Sequence, residues 1–314
     1  MPPFAYAWRM SQPTKAALAW TTSALSAQVI GVKNLHGGPG PWLLRLSPGG
    51  RFDEVVLRTG ETGRPDVSAQ FQAEAAALVQ AADHALPAPR LIAADLAGDE
   101  AEALAVLATV VAGSSRIPVS PTPARMRALG AGAAALHAVP MEPRPGLPLR
   151  DRPIADMDFA ALRREFGLSA LFEEAEQAVA QAPEVLGGTV FVHGDLWQGN
   201  TIWNGDTLTG LVDWDSAGAG HYGVDLGSLR CDAAVMFGGQ AADEVLKGWR
   251  SASIHDDDNP HTIAYWDVMA ALSTPPDMAD VLGVFADQGR DDLHAALVNE
   301  RRDTFLRTAL NRLG

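Results

Sequence analysis

Two short runs of the sequence concentrate acidic and amide side chains at fixed spacing. Residues 193–200 (HGDLWQGN) contain Asp195 and Asn200, and residues 211–215 (LVDWD) contain Asp213 and a second aspartate two residues later. Carboxylate and amide oxygens suit Mg²⁺, which usually keeps one or two such protein ligands beside substrate phosphates. A further carboxylate can accept the proton of an attacking hydroxyl, so these residue types together favour phosphoryl transfer.

A tight hairpin would bring the two runs together. The β-rich segments that follow residue 200 are separated by Asn204 and Gly205, which both tolerate the positive φ of a short hairpin turn. Asn200 then stands at the entrance of the hairpin and Asp213 at its exit, so we predict that these two residues hold the metal. Asp195 follows an apolar strand on a glycine-flanked loop, and we predict that it acts as the base.

The ordered pattern H-G-D-x-x-x-x-N, hairpin and D-W-D, with Gly220 and Asp225-Leu-Gly227 beyond, resembles the aminoglycoside phosphotransferase and choline kinase-like family of small-molecule kinases. The resemblance implies a two-lobed, protein-kinase-like α+β fold. Its small N-terminal lobe would hold an antiparallel sheet and a helix, and its larger C-terminal lobe would be mostly helical. It also implies ATP and Mg²⁺ as cofactors. His193 is expected to be a scaffold for the loop, and Asp215 could reach a second metal or the acceptor.

The first third of the chain alternates β-like segments with turns, which predicts an antiparallel sheet of about five strands. One of its turns contains Gly37 and Gly38. Their backbone amides could cover nucleotide phosphates, because glycine allows close approach, but a plain hairpin turn explains them equally well.

Arg58 ends the third predicted strand, where the family usually has a phosphate-contacting lysine. The resemblance therefore implies a phosphate contact, although the planar fork of arginine is not equivalent to the point charge of lysine. Glu74 lies on the apolar stripe of the next predicted helix, and a carboxylate there needs a cation. We predict an ion pair between Glu74 and Arg58; a surface glutamate is the alternative.

The β-rich pattern gives way to helical periodicity after residues 110–115, which makes this segment the predicted hinge. The predicted domains are a nucleotide-binding lobe of residues 1–112 and a catalytic and acceptor-binding lobe of residues 113–314. By resemblance to the family, backbone groups near Thr109 and Val111 are expected to bond the adenine edge.

The acceptor is poorly encoded in the sequence. Tyr265, Trp266 and Asp267 form an aromatic and acidic cluster that could line an acceptor pocket, with core packing as the alternative for the two rings. Residues 251–300 contain ten acidic side chains against one basic side chain. This bias would suit a cationic small molecule such as an amino sugar, but a solvated acidic surface explains it as well.

Composition excludes several classes of protein. The net charge of −14 argues against nucleic-acid binding, because phosphates require a basic surface. The single cysteine, Cys231, excludes an internal disulfide and suits a reducing cytoplasm. No apolar run approaches the roughly 18 residues of a membrane span, so no membrane partner is expected. The oligomeric state is not encoded.

Other functions are less consistent with the motifs. A serine hydrolase would need a G-x-S-x-G nucleophile motif, which is absent from the sequence. A protein kinase is disfavoured by D-W-D in place of D-F-G. Two alternatives remain within the kinase-like reading. H-G-D-L-W-x-G-N also resembles the ketosamine (fructosamine-type) kinases, and a nucleotide-binding kinase-fold protein without a role in antibiotic resistance would share the same pattern.

Overall fold

The computed structural model describes residues 12–35, 40–167, 169–182, 187–255 and 259–314. The predicted phosphate-loop residues Gly37 and Gly38 lie outside the described residues. The helices of the described chain are α1 (Lys15–Leu25), α2 (Pro65–Asp83), α3 (Pro123–His137), α4 (Phe159–Phe166), α5 (Ala170–Gln181), α6 (Gly223–Phe237), α7 (Gly239–Ala252), α8 (Pro260–Leu272), α9 (Leu282–Asp287) and α10 (Ala295–Leu313). Its strands are β1 (Val29–Asn34), β2 (Trp42–Leu46), β3 (Glu54–Gly60), β4 (Leu91–Asp95), β5 (Leu104–Thr109), β6 (Leu149–Arg150), β7 (Val190–Val192), β8 (Thr201–Asn204), β9 (Thr207–Leu211) and β10 (Gly218–Gly220).

The chain divides into two compact units. The first comprises the chain up to Ala112 together with Gly210–Asp215, and the second comprises Gly113–Thr209 and Ser216–Gly314. The predicted boundary did not anticipate that the segment Gly210–Asp215 joins the first unit. The assignment of nucleotide binding to one lobe and acceptor binding to the other remains a prediction.

The first unit is built on a sheet whose strand order is β1-β2-β3-β5-β4. All four neighbouring pairs are antiparallel, which confirms the predicted five-stranded sheet for the described residues. Strand β2 shows the period of two that a half-buried strand requires, because Trp42, Leu44 and Leu46 are buried and Arg45 between them is exposed. The buried side chains pack with Trp20 of α1 in one hydrophobic core.

Helix α2 presents an apolar stripe to this sheet. Phe71 and Leu78 are 2% and 1% exposed, and they share a face with Glu74 because residues three and four apart lie one above the other on a helix. The helix begins at Pro65, with Arg64 in the cap position. Proline is favoured at the first helical position, since its missing N–H would have no partner there.

The second unit is mainly helical and is centred on α6. This helix is buried on nearly all sides, as expected for an apolar helix in the interior of a larger domain, and α7, α8 and α10 pack around it. Before it lie a small sheet of β6, β10 and β7 and the ribbon of β8 and β9. The ribbon confirms the predicted hairpin, and Gly205 in its turn has a φ of 60°.

Helices α3 and α7 approach each other closely at glycines. A Cβ atom added to Gly248 of α7 would meet the backbone of Arg127, and one added to Gly130 of α3 would meet the backbone carbonyl of Val245. Backbone atoms cannot move aside as the end of a flexible side chain can. These two glycines therefore set the separation of the helices.

Replacing Gly248 with alanine is expected to destabilise the protein by about 1–3 kcal/mol, the usual range for overpacking a well-packed interior. Urea denaturation followed by circular dichroism would measure the change. Gly239→Ala is the matched control, because Gly239 lies on the same helix and an added Cβ would have no atom within 4 Å. Equal stability of the two variants would contradict the close approach.

None of the described helices combines the length and apolar character required to cross a membrane.

Candidate active site

Arg58 of β3 lies among carboxylates of the first unit. Its Nη1 donates to Oε2 of Glu74 at 3.1 Å and to Oδ1 of Asp213 at 3.0 Å, and its Nη2 donates to Oδ2 of Asp215 at 2.5 Å. The guanidinium also lies over the ring of Phe71, 5.4 Å from its centroid. The ion pair between Arg58 and Glu74 that we predicted is therefore present. Its additional contacts with Asp213 and Asp215 were not predicted.

This cluster has unusual electrostatics. Burial disfavours the charged form of Arg58, but Glu74, Asp215 and Asp213 outweigh it and hold the pKa of the guanidinium well above its usual range. Burial raises the pKa of Glu74 to about 7, against the opposing effect of Arg58, and the neighbouring carboxylates contribute in the same direction as burial. Even without Glu74, one guanidinium cannot neutralise the two aspartates Asp213 and Asp215. The cluster therefore favours the approach of a further cation.

The backbone at Asp213 has an uncommon conformation. Its φ is 65°, a left-handed value that non-glycine residues adopt rarely and aspartate more readily than most. The flanking residues hold the segment in place, because Leu211 N donates to Pro87 O at 2.7 Å and the buried Trp214 donates from Nε1 to Leu211 O at 2.9 Å. The side chain of Asp213 is 50% exposed, against 17% for Asp215. Asp213 thus presents an accessible carboxylate from a fixed backbone, which fits a metal ligand.

In the second unit, the loop of residues 193–200 is anchored to α6. Asp225 accepts hydrogen bonds from the backbone N–H groups of His193 at 2.8 Å and Gly194 at 2.9 Å. Gly194 has a φ of 82°, and an added Cβ would meet the backbone of Ser216. Only glycine therefore fits this start of the loop.

The loop is also closed on itself. Asn200 donates from Nδ2 to the backbone oxygen of Asp195 at 2.9 Å and to its Oδ2 at 3.3 Å. These bonds orient the Asp195 carboxylate and use the nitrogen side of the Asn200 amide. The amide oxygen is then the atom of Asn200 that suits a hard cation. Asn200 belongs to the second unit and Asp213 to the first, so their predicted meeting at a metal remains a prediction.

A buried network supports Asp225 from behind. Trp249 donates from Nε1 to Nδ1 of His137 at 3.0 Å, so the ring is neutral and carries its proton on Nε2. That nitrogen lies 3.2 Å from Oδ2 of Asp225. His137 and Asp225 are both fully buried. His137 therefore has a structural role, and it supports the contact of Asp225 with the loop.

The other predicted nucleotide-binding residues, Thr109 and Val111, make contacts within the first unit. Thr109 ends β5, where its backbone N–H donates to Arg90 O at 2.9 Å and its Oγ1 accepts from Arg90 N at 2.9 Å. Val111 lies beside Gly210, where an added Cβ would meet the valine methyl groups. His193 is fully buried. The adenine contact near Thr109 and Val111 remains a prediction.

The predicted acceptor cluster is largely internal. Trp266 is 6% exposed and stacks on His221 at a centroid distance of 5.1 Å. Asp267 forms a bidentate ion pair with Arg230, with both N–O distances at 2.8 Å, and these two residues line a cavity of about 350 Å³. Tyr265 is partly exposed. An acceptor role for these residues remains a prediction, and for Trp266 the alternative of core packing is observed.

The contact between Arg58 and Glu74 leads to an expectation for nucleotide binding. Glu74→Ala is expected to weaken ADP binding roughly tenfold, because a guanidinium that loses a charge-assisted hydrogen bond worth about 1.5–3 kcal/mol is less well oriented toward phosphate. Isothermal titration calorimetry would measure the affinity, with Glu54→Ala, an exposed position on the same strand as Arg58, as control. Unchanged affinity in Glu74→Ala would remove the positioning role.

Comparison with known protein families matches residues 35–272 to the phosphotransferase enzyme family. The chain belongs to this family. The match covers both runs of residues from which the chemistry was inferred, and it confirms the predicted family and the enzyme class, a small-molecule kinase. No curated protein matches the phosphotransferase in a sequence comparison.

Solved structures confirm the fold class of the phosphotransferase. A macrolide 2'-phosphotransferase from Brachybacterium faecium shares 19% identity, with 93% of this chain and 98% of the other covered and a TM-score of 0.60. A Thermobifida fusca structure provisionally named fructosamine-3-kinase shares 19% identity over 95% and 99% of the two chains, with a TM-score of 0.57. A thermostable mutant of an aminoglycoside phosphotransferase, in complex with AMP-PNP and hygromycin B, shares 16% identity over 93% and 98%, with a TM-score of 0.60. At these identities the similarity shows the α+β, protein-kinase-like fold.

Proposed function

We propose that the phosphotransferase transfers the γ-phosphate of ATP to a hydroxyl group of a small molecule, with Asp195 as the catalytic base. The observation that carries this proposal is the closed loop in which Asn200 donates to both the backbone and the carboxylate of Asp195. A carboxylate held in one orientation can accept the proton of an acceptor hydroxyl as the hydroxyl attacks. AMP-PNP in a structural relative supports ATP as the donor.

The remaining roles follow from the chemistry of the side chains. Arg58 would contact the transferred phosphates, and Glu74 would orient it from α2. Asn200 and Asp213 would hold Mg²⁺, which supplies positive charge to the phosphate oxygens as the phosphoryl group is transferred. Asp215 already has Arg58 as a partner, so its proposed role is to orient the guanidinium, with a second metal as the alternative.

Positioning and charge stabilisation account for most of the catalysis in this scheme. The transition state of phosphoryl transfer disperses negative charge over the phosphoryl oxygens, so fixed cations lower its energy more than that of the ground state. Arg58 is prepared for this role, because its contacts with Glu74, Asp213 and Asp215 hold the guanidinium in place before substrate arrives. On phosphate binding, some of these contacts would be exchanged for phosphate oxygens.

The proposed acceptor is a hydroxylated small molecule that carries positive charge, such as an aminoglycoside, an amino alcohol or an amino sugar. The acidic bias of residues 251–300 motivates this choice, and solved structures of relatives are complexes with hygromycin B and streptomycin. A ketosamine is the second candidate acceptor, because the H-G-D-L-W-x-G-N motif and one structural relative point to it. We propose a cytoplasmic location, which suits the buried free thiol of Cys231.

A panel of acceptors assayed for ADP release with Mg-ATP would test this function. The panel should contain an aminoglycoside, a macrolide, a ketosamine, an amino alcohol and a neutral sugar. We expect saturable ADP release above the background hydrolysis with at least one cationic acceptor, and phosphorylation of that acceptor by mass spectrometry. Absence of nucleotide binding by calorimetry, with or without Mg²⁺, would refute the proposal at its first step.

A further inference from the structure

Helix α6 carries a second carboxylate that contacts the loop of residues 193–200. Asp232 lies seven residues after Asp225, so both side chains project from one face of the helix about two turns apart. Asp225 binds the start of the loop. Oδ2 of Asp232 accepts hydrogen bonds from both the backbone N–H and the side-chain Nε2 of Gln198, at 3.2 and 3.1 Å.

Glutamine is an energetically costly side chain at the buried position 198. Gln198 is 1% exposed, and its Oε1 has no hydrogen-bond partner among the described residues. A buried polar atom without a partner costs about 1–3 kcal/mol, which an apolar side chain of similar shape would avoid. The donor end of the amide, directed at Asp232, is the contact that accounts for glutamine at this position.

Gln198 occupies a decisive place in the loop. It lies between Asp195 and Asn200 and begins the one-turn 3₁₀ helix Gln198–Asn200. Its backbone oxygen accepts from Oγ1 of Thr201 at 2.6 Å. Asn200 is bonded within the loop, to Asp195 and through its backbone N–H to Trp197 O at 3.1 Å, so the turn still needs a contact that anchors it to the rest of the unit. Asp232 supplies that anchor from a helix that is buried on nearly all sides.

We propose that Asp232 is a positioning residue of the active site, which holds the Gln198 turn so that Asn200 stays in register with Asp195. The inference rests on the proposed function, in which Asp195 and Asn200 act on the substrate and the metal. Helix α6 then fixes both ends of the catalytic loop, through Asp225 at the start and Asp232 near the end. Burial raises the pKa of Asp232 to about 6, and its hydrogen bonds from Gln198 and the charge of Arg290 counteract burial. The hydrogen bonds from Gln198 thus favour the ionised carboxylate, which accepts hydrogen bonds most strongly.

Kinetics of three variants would test this positioning role. Asp232→Ala removes both hydrogen bonds and is expected to lower kcat roughly 10- to 100-fold. The KM for Mg-ATP should rise as well, because Asn200 is a proposed Mg²⁺ ligand. The affinity for ADP measured without Mg²⁺ should change less than about threefold, because Arg58, the proposed phosphate contact, lies on another element. Asp232→Asn keeps an acceptor oxygen and should recover most of kcat. Gln198→Leu removes only the side-chain bond and should have an intermediate effect. Glu174→Ala, an exposed change on α5, is the control.

A double-mutant cycle separates positioning from general destabilisation. Gln198→Leu should lower kcat in the wild-type background but have little further effect in Asp232→Ala, because the partner of the side chain is already gone. Additive effects of the two changes on kcat would overturn the proposal, as would an Asp232→Asn variant as impaired as Asp232→Ala. Thermal unfolding shows whether each variant folds. If Asp232→Ala does not fold, the kinetics of Gln198→Leu and Asp232→Asn decide the question.

Hydrogen exchange provides a readout that does not depend on activity. In Asp232→Ala, the amide of Gln198 should exchange faster, whereas the amides of His193 and Gly194, which Asp225 holds, should keep their protection. If wild-type protein phosphorylates no acceptor but this local change is seen, the proposed function fails and the anchoring by Asp232 stands. If wild-type protein is active but exchange and kcat are unchanged in Asp232→Ala, only the positioning role fails.

Discussion

Asp195→Ala is expected to lower kcat for phosphoryl transfer by about 10²–10⁴-fold, the range typical for loss of a general base. Nucleotide affinity should change little, because Arg58 and Glu74, the predicted phosphate contact and its partner, belong to the other unit. Steady-state ADP release with the best acceptor of the panel would measure kcat, and calorimetry with ADP would measure the affinity separately.

Asp195→Asn sharpens the same test. Asparagine keeps the shape of the side chain and an oxygen that can accept the hydrogen bond from Asn200, which in the wild type reaches Oδ2 of Asp195 at 3.3 Å. It cannot accept the proton of the acceptor hydroxyl. We therefore expect Asp195→Asn to be about as inactive as Asp195→Ala, and Glu174→Gln, at an exposed site on α5, to be fully active. Normal turnover by Asp195→Asn would show that orientation of the loop, rather than proton transfer, is the contribution of this residue.

Asp267→Ala is expected to destabilise the protein by about 3–5 kcal/mol, because it leaves a buried cation without its partner. Arg230 is 1% exposed and Asp267 is 1% exposed. Burial disfavours the charge of Arg230, and Asp267 more than compensates, so the pKa of the guanidinium is raised. Arg230 also donates to Ala242 O at 2.8 Å. The pair thereby joins α6, α7 and α8, and its loss should be seen directly in urea denaturation.

This experiment also decides between two roles for Asp267. A residue that mainly recognises the acceptor would, when replaced, raise the KM for the acceptor and leave the free energy of unfolding unchanged. A buried structural pair should show the opposite. Replacing both partners, as in Arg230→Met with Asp267→Leu, removes both charges and should cost less stability than Asp267→Ala alone. If Asp267→Ala were as stable as the wild type and had a raised KM for the acceptor, the result would support a role of Asp267 in acceptor binding.

Most of the features that could be predicted from the sequence depend on residues that are close together along the chain. The β-like segments separated by turns and the Asn204-Gly205 turn were sufficient for the sheet and the hairpin, because strand propensity and turn conformation are local properties. Thr122 caps α3 by accepting from the backbone N–H of Arg125 at 3.1 Å, and threonine followed by proline is itself a local signal of a helix start. The ion pair between Arg58 and Glu74 was also accessible, since an acidic residue on an apolar stripe needs a nearby cation.

Contacts between distant segments could not be predicted in the same way. Arg58 is separated from Asp213 by 155 positions and from Asp215 by 157, and no local pattern relates them. The ion pair between Asp267 and Arg230 likewise depends on how the helices pack. So do the hydrogen bonds that the aspartates of α6 accept from the loop of residues 193–200. The spacing of seven between Asp225 and Asp232 was a visible signal of a common face. It did not indicate what that face would contact.

The discontinuity of the first unit has a consequence for how the protein is made. Its sheet and two helices are complete once Ala112 has been synthesised, but Gly210–Asp215, which supplies two of the carboxylates around Arg58, belongs to the same unit. At translation rates of about 5–20 residues per second, the intervening stretch of about 100 residues delays that segment by roughly 5–20 seconds. During this interval a nascent chain holds Arg58 with Glu74 alone. A fragment released at Ala112 would therefore lack two of the carboxylates around Arg58, whereas a chain extended past Asp215 would contain all of them.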